Sequence, residues 1–413
     1  MKAVVFTLGC KVNSYESQAL LRGFLLRGYE VGEELCFADV YVINTCAVTK
    51  EAEKKSRQAV ARVKKQNPNA KIIVVGCASQ NSPDSFSGKD GVCLVCGTSY
   101  KDKIFDYLDG NSVKDDKIEK SYHELPLPKT DKIRAYVKVQ DGCNNFCSYC
   151  IIPYLRGRSR SRNPENVKNE IISLNTLETV LTAINLSAYD YNGVKLDGLI
   201  STLKDVNTRI RLGSLEENVI TDSLLENLKK LKDFAPHFHL SLQSGCDKTL
   251  KDMRRRYTCS EFMKGVNLIR KYFENASITT DVIVGYPTET DEDFINSYNF
   301  IKSVGFSDIH AFPYSQREGT LSSKLKDLPS IIKNERLSRM LELKKELKSS
   351  FISKNIETFQ DVIVEEYDGK YSLGYTANYI KVYIPKKLSV GKYRVKLIKE
   401  FESGALANIK EII

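Results

Sequence analysis

Glycine and proline are sparse in this 413-residue sequence, at 23 and 11 residues, which excludes a collagen-like or largely disordered chain. No internal repeat or low-complexity tract appears. No run of 18 or more apolar residues occurs, so no membrane-spanning helix is expected. The first residues hold a strand-like apolar run, Ala3-Val-Val-Phe6. No signal-type apolar region or small-residue cleavage site follows it, and a cytoplasmic location is expected. Histidine is scarce: His123, His237, His239 and His310 are the whole set. The basic excess is small, 62 Lys+Arg against 52 Asp+Glu, or +10. It suits an anionic partner without naming one.

Cysteine is abundant, with 11 residues, an odd number that cannot all pair within the chain. In a cytosolic protein such a set points to metal or redox chemistry rather than to disulfides. Cys143-Asn-Asn-Phe-Cys147-Ser-Tyr-Cys150 is one local trio. Three thiolates at this spacing can wrap a cubane iron–sulfur cluster, and because full ligation takes four, one iron stays open to chelate a small molecule. No histidine stands at a finger-like spacing from the trio, which disfavours zinc. A second trio is dispersed: Cys10, Cys46 and Cys77 each close an apolar run. Parallel strands would bring these three ends to one sheet edge, where open α/β sheets bind ligands. Gly9 and Gly76 allow close backbone approach just before two of the thiols. Cys93-Leu-Val-Cys96 reads as a pair of structural thiols, and Cys36 and Cys259 as incidental. Cys246 sits at a strand end, where a positional role is open and a plain core or loop thiol is the competing reading.

At about 150 residues per domain, the length suggests two or three domains. Residues 1–115 alternate apolar runs (3–8, 40–43 and 71–75) with amphipathic stretches, the pattern of a parallel sheet covered on both faces. Residues 111–130 are polar and read as a linker. From 129 to 350, six candidate strands (135–139, 179–184, 210–212, 237–242, 279–284 and 308–312) alternate with helices. They suggest a partial (β/α)6 barrel working at its C-terminal strand ends. A charged helix is expected over 333–351. Residues 352–413 switch to period-two patterning, which suggests a small antiparallel β-barrel. The fold class is therefore α/β with an all-β C-terminal module.

The cysteine spacing with Tyr149 before the third thiol resembles the radical S-adenosylmethionine core. Flanking stretches narrow the resemblance to the methylthiotransferase family: Thr7-Leu-Gly-Cys-Lys-Val-Asn-Ser-Tyr-Glu16, Asn44-Thr-Cys-Ala-Val-Thr49, Asp141-Gly-Cys143, Arg156-Gly-Arg-Ser-Arg160, His239-Leu-Ser-Leu-Gln-Ser-Gly-Cys246 and Asp281-Val-Ile-Val-Gly285. The last module is similar to a TRAM RNA-binding barrel. Gly9-Cys-Lys-Val-Asn13 and Gln243-Ser-Gly-Cys246 look like the subgroup acting on N6-threonylcarbamoyladenosine at tRNA position 37. Ala183, Ser187, Gly213 and Thr288 depart from the family pattern.

The resemblance implies two 4Fe-4S clusters, one on Cys143, Cys147 and Cys150 and an auxiliary one on Cys10, Cys46 and Cys77. It implies S-adenosylmethionine as cofactor, tRNA as partner and an electron donor such as flavodoxin or ferredoxin. It leaves the oligomeric state open. Candidate cofactor-binding residues are Tyr149, Asn185, Ser214, Glu216, Gln243, Gly285 and Arg156, with Gly285 placed to let the chain pass close to an adenine ring. Candidate phosphate contacts are Arg158, Arg160, Arg162, Arg254, Arg255, Arg256, Lys381, Lys386 and Lys387. An extended segment would point Arg156, Arg158, Arg160 and Arg162 the same way. Interleaved Tyr375, Tyr379, Tyr383 and Tyr393 would suit base stacking. A different tRNA adenosine, a ribosomal-protein aspartate, an electron carrier and a metal-stabilised RNA-binding protein remain as alternatives.

Overall fold

The computed structural model describes residues 1–99, 101–111, 118, 120–128 and 133–413. The N-terminal unit is a five-stranded, all-parallel sheet of β1 (Lys2–Thr7), β2 (Glu30–Gly32), β3 (Val40–Thr45), β4 (Lys71–Gly76) and β5 (Val92–Val95), ordered β2-β1-β3-β4-β5. Both faces are apolar because both are covered. Val4, Tyr41, Ile43, Ile72 and Val74 face one core, and Ala3, Val5, Val40, Val42, Ile73 and Val75 the other. The expected strands 3–8, 40–43 and 71–75 lie where the continuous apolar runs placed them.

The central unit has six parallel strand positions in sequence order, held in two hydrogen-bonded sheets. The first contains β6 (Arg134–Asp141), an antiparallel appendage β7 (Arg160–Ser161), β8 (Glu178–Ala183) and β11 (Arg209–Leu212). A small hairpin of β9 (Asp190–Tyr191) and β10 (Val194–Lys195) lies between the last two. The second sheet contains β12 (Ser214–Leu215), β13 (His237–Leu240), β14 (Ser277–Val284) and β15 (Asp308–Pro313). Gly213 joins the sheets. A Cβ there would lie 2.8 Å from the Leu181 carbonyl, so the third strand can bend at that point with glycine alone. Helices Pro164–Leu174 and Asp291–Val304 lie among the helices that alternate with these strands. The first is capped by Asn163 and the second by a Thr290–Asp293 capping box.

The charged helix runs over Ser330–Asn355, longer than expected at both ends. Met340, Leu343 and Leu347 enter the central core, and Ile352 enters the core of the C-terminal barrel. That barrel closes as β16 (Phe359–Tyr367), β17 (Ser372–Thr376), β18 (Lys381–Ile384), β20 (Gly404–Ile412) and β19 (Gly391–Phe401). One feature corrects the antiparallel expectation: β18 and β20 pair parallel, which brings the last strand back to close the ring. No helix among the described residues is long and apolar enough to cross a membrane.

The segment expected as a linker is partly packed. Tyr122 donates to the Lys138 carbonyl at 3.2 Å, and Glu124 pairs with Arg162 at 2.7 Å. The expected boundaries at 115 and 129 lie outside the described residues.

Candidate active site

Each trio stands at the C-terminal ends of parallel strands, and glycine precedes three of the six thiols: Gly9, Gly76 and Gly142 lie at φ +106°, +111° and +71°. A Cβ on Gly9 would lie 2.8 Å from Cys46 Cβ and 3.0 Å from its Sγ. One on Gly142 would lie 2.0 Å from the Arg158 carbonyl. These turns therefore require glycine both for conformation and for space. Cys10 is the N-cap of helix Lys11–Leu26, Cys46 follows β3, and Cys77 opens the short helix after β4. Burial pushes the Cys46 thiol up to about 11, and Cys77 and Cys10 nearby add to the rise. Burial likewise carries Cys150 up to about 12, with Cys147 and Cys143 adding to it. Thiols gathered this way resist ionisation until cations join them. Bound iron supplies that charge, so both donor sets fit thiolate-ligated clusters. No three His, Cys, Asp or Glu groups among the described residues converge tightly enough for one metal ion. A cubane needs a looser array, because each thiolate holds a different iron.

Around Cys143, the structure brings together several residues expected at strand ends. Asn185 Nδ2 lies 3.8 Å from Cys143 Sγ and 3.4 Å from Glu216. Glu216 also accepts from Asn145 at 2.8 Å and Arg255 at 2.7 Å. Tyr149 packs against Met253, Tyr286 and Tyr314. Asn145 lies inside the cysteine motif and was not singled out from the sequence. Ser187, one of the departures from the family pattern, accepts from the Glu216 backbone N–H at 2.7 Å. Gln243 takes φ +69° and bridges to β14. Ser214 lies apart from this group, on a cavity inside the barrel.

Several expectations are corrected. Arg255 is not a phosphate contact: its guanidinium donates to Cys147 Sγ at 3.3 Å and pairs with Glu216. Arg156 closes a helix, Ile152–Arg156, so the segment is not extended and its arginines do not share a face. Arg156, Arg160 and Arg162 are buried in ion pairs and cannot reach a phosphate. Arg156 pairs with Glu16 at 2.9 Å and Asp141 at 3.2 Å, Arg160 with Asp141 at 3.2 Å, and Arg162 with Glu170 at 2.5 Å. For the same reason Arg156 is a positioning residue rather than a cofactor ligand. The space beside Gly285 is filled by Lys333, whose Cγ would lie 2.4 Å from an added Cβ. That glycine serves helix packing, not approach to an adenine ring. Tyr383 and Tyr393 are barrel core. Cys93 is exposed rather than buried, while Cys96 and Cys246 are buried.

Arg158, Arg254 and Arg256 remain exposed and form no ion pair among the described residues. They line an open depression with Asn145 and Phe146, and Arg158 stacks over the Phe146 ring at 4.5 Å. Lys386 and Lys387 are exposed on the C-terminal barrel, and Lys381 lies over the Tyr383 ring at 4.9 Å.

The two cysteine sites are joined by Arg156. Six residues after Cys150, it donates from Nε to Cys77 Sγ at 3.4 Å and from Nη2 to Asn13 Oδ1 at 2.9 Å. Ile151 and Leu155 pack into the same core as Cys77 and Ala78. Lys101 and Lys138 complete the network on Glu16 at 2.5 and 2.7 Å, and Lys138 also reaches Asp141 at 2.6 Å. Four cations thus face two carboxylates in a buried space beside Cys77. An anionic, thiolate-ligated cluster there would redress that imbalance.

Residues 137–301 match the Radical SAM superfamily, and residues 2–97 match the Uncharacterized protein family UPF0004. The chain is 40% identical to the threonylcarbamoyladenosine tRNA methylthiotransferase MtaB of Bacillus subtilis, over 97% of this chain and 94% of that protein. This chain belongs to the radical S-adenosylmethionine tRNA methylthiotransferase family. Aquifex aeolicus MtaB is 37% identical, covering 95% and 98% of the two chains. The tRNA-2-methylthio-N(6)-dimethylallyladenosine synthase of a Hydrogenobaculum species is 31% identical over 91% of each. Among solved structures, the radical S-adenosylmethionine methyltransferase TsrM from Kitasatospora setae, with cobalamin and a 4Fe-4S cluster bound, superposes with TM-score 0.57 at 13% identity. That match covers 76% of this chain and 74% of TsrM, a likeness of fold alone. The chain is thus an enzyme of a family that transfers a sulfur-containing group.

Proposed function

We propose that this enzyme methylthiolates tRNA at C2 of N6-threonylcarbamoyladenosine in position 37, using two molecules of S-adenosylmethionine. The observation that carries this reading is the pair of cysteine trios on two strand-end edges, joined through Arg156, in a chain 40% identical to a protein named for that substrate. Cys143, Cys147 and Cys150 hold one 4Fe-4S cluster, and Cys10, Cys46 and Cys77 hold an auxiliary one. When bound, the reduced first cluster and S-adenosylmethionine supply the radical that activates C2, and the auxiliary cluster and a second S-adenosylmethionine supply the methylated sulfur.

The chain's own residues orient these parts. Asn185 and Glu216 present an acceptor-rich edge next to Cys143, suited to the amine and hydroxyl groups of S-adenosylmethionine, with Tyr149 and Gln243 on the same face. Arg255, held by Glu216, places a cation against Cys147 and offsets the charge of the thiolates. Arg158, Arg254 and Arg256 offer phosphate contacts at the rim, and Lys381, Lys386 and Lys387 extend them along the C-terminal barrel. A flavodoxin or ferredoxin serves as electron donor.

The test uses anaerobically loaded protein with anticodon stem-loop RNA. Cys147→Ala abolishes 5′-deoxyadenosine formation. Cys46→Ala retains it, loses about half of the iron and makes no methylthio product. Methylthiolation by Cys46→Ala would refute the auxiliary assignment. Unchanged 2-methylthio-threonylcarbamoyladenosine in tRNA after gene disruption would refute the substrate.

A further inference from the structure

A cavity of about 570 Å³ lies within the central barrel, between the inward faces of β11 to β15 and the C-terminal barrel. That size suits part of a nucleoside. Its charged groups divide clearly. Arg211 pairs with Glu178 at 2.9 Å, Asp281 with His239 at 3.2 Å, and Asp308 with Lys344 at 3.4 Å and Lys348 at 3.8 Å. Lys11, the residue after Cys10, also lines this cavity and has neither an ion pair nor a hydrogen bond among the described residues. A second orphan faces the same space: His237 is 7% exposed, and its Nδ1 has no hydrogen-bond partner. Lys11 is an exposed, unpaired cation on the cavity wall and His237 a buried imidazole whose Nδ1 lacks a partner, and the two together suit a ligand that brings an anion and a polar group. The far wall is the stacked Tyr375–Tyr379 pair, with ring centroids 4.7 Å apart and Arg211 over Tyr379 at 4.2 Å.

We propose that this cavity receives the N6-substituent of the substrate adenosine, with Lys11 as counter-ion to its carboxylate and His237 as hydrogen-bond partner to its hydroxyl. The inference rests on the threonylcarbamoyl reading of the substrate and adds the residues that select it. A threonyl group brings both the carboxylate and the hydroxyl. A dimethylallyl group brings neither and would leave Lys11 and His237 unpartnered, so the cavity discriminates against it.

The test measures dissociation constants of iron-loaded enzyme by fluorescence anisotropy. The probes are anticodon stem-loops carrying threonylcarbamoyladenosine, its neutral methyl ester or plain adenosine. Wild type should bind the acid about 10-fold or more tightly than the ester, as expected for one charge-assisted contact. Lys11→Gln should bind the two within about twofold, and Lys11→Arg should restore the preference. Iron per chain equal to wild type confirms that each variant is loaded. The wild-type comparison stands even if a variant fails to fold. Equal binding of acid and ester by wild type, or an acid preference kept in loaded Lys11→Gln, overturns the proposal. Failure of the broader substrate reading looks different: wild type would then form no methylthio product on the threonylcarbamoyl stem-loop, whatever its binding preference.

Discussion

Glu16→Gln is the sharpest test of how the N-terminal unit is fastened to the barrel. The carboxylate is 1% exposed and takes contacts from Lys101 at 2.5 Å, Lys138 at 2.7 Å and Arg156 at 2.9 and 3.1 Å. Lys101 belongs to the N-terminal unit and the other two to the barrel, so the pairs cross the interface. With Glu16 neutralised, Lys138, Arg156 and Arg160 share Asp141 alone, and Lys101 keeps its hydrogen bond to Asn44 but loses its carboxylate. Breaking a buried pair by removing one partner costs about 3–5 kcal/mol. For a cooperative unit of about 150–250 residues, this lowers Tm by roughly 6–20 °C. Differential scanning calorimetry of the two anaerobic proteins reads the change. A Tm within about 2 °C of wild type would refute the claim that this network holds the units together. The pH dependence follows the same groups. Burial raises the Glu16 and Asp141 carboxyls, but the cations beside them prevail and hold both below the usual range. Unfolding restores ordinary values near 4, so the unfolded chain binds more protons there. The contribution is therefore present above about pH 5, is lost as pH falls through and below 4, and is absent from the Glu16→Gln melt profile.

Gly76→Ala places a Cβ 2.6 Å from the Thr45 carbonyl at φ +111°, which displaces the turn into Cys77. We expect a stability loss of about 1–3 kcal/mol in a denaturant titration, with auxiliary-cluster iron lost and 5′-deoxyadenosine formation retained. The double variant Lys386→Ala/Lys387→Ala should weaken tRNA binding and reduce the slope of log affinity against log salt by about 1–2, measured by anisotropy across a salt series. An unchanged slope would remove these lysines from the RNA surface.

What the amino-acid order determined by itself was local. Apolar runs spelled out the parallel strands of both α/β units, because strands buried on both faces leave little room for polar residues. Cys143, Cys147 and Cys150 lie within eight residues, so their convergence was legible from spacing, and Cys10, Cys46 and Cys77 were legible as repeated strand ends. A glycine before Cys10, Cys77 and Cys143 was a further local signal, of which Gly142 went unread.

The arginines were legible as charge and not as location. Arg156, Arg160, Arg162 and Arg255 look in sequence like neighbours Arg158, Arg254 and Arg256. Their carboxylate partners Glu16, Asp141, Glu170 and Glu216 come from segments as far as 140 positions away. The role of Lys11 was equally hidden, because its isolation is a property of a cavity walled by five strands and a second barrel. Tertiary structure alone decided these points, because whether a charge is paired, buried or left facing a cavity depends on chains that meet only on folding.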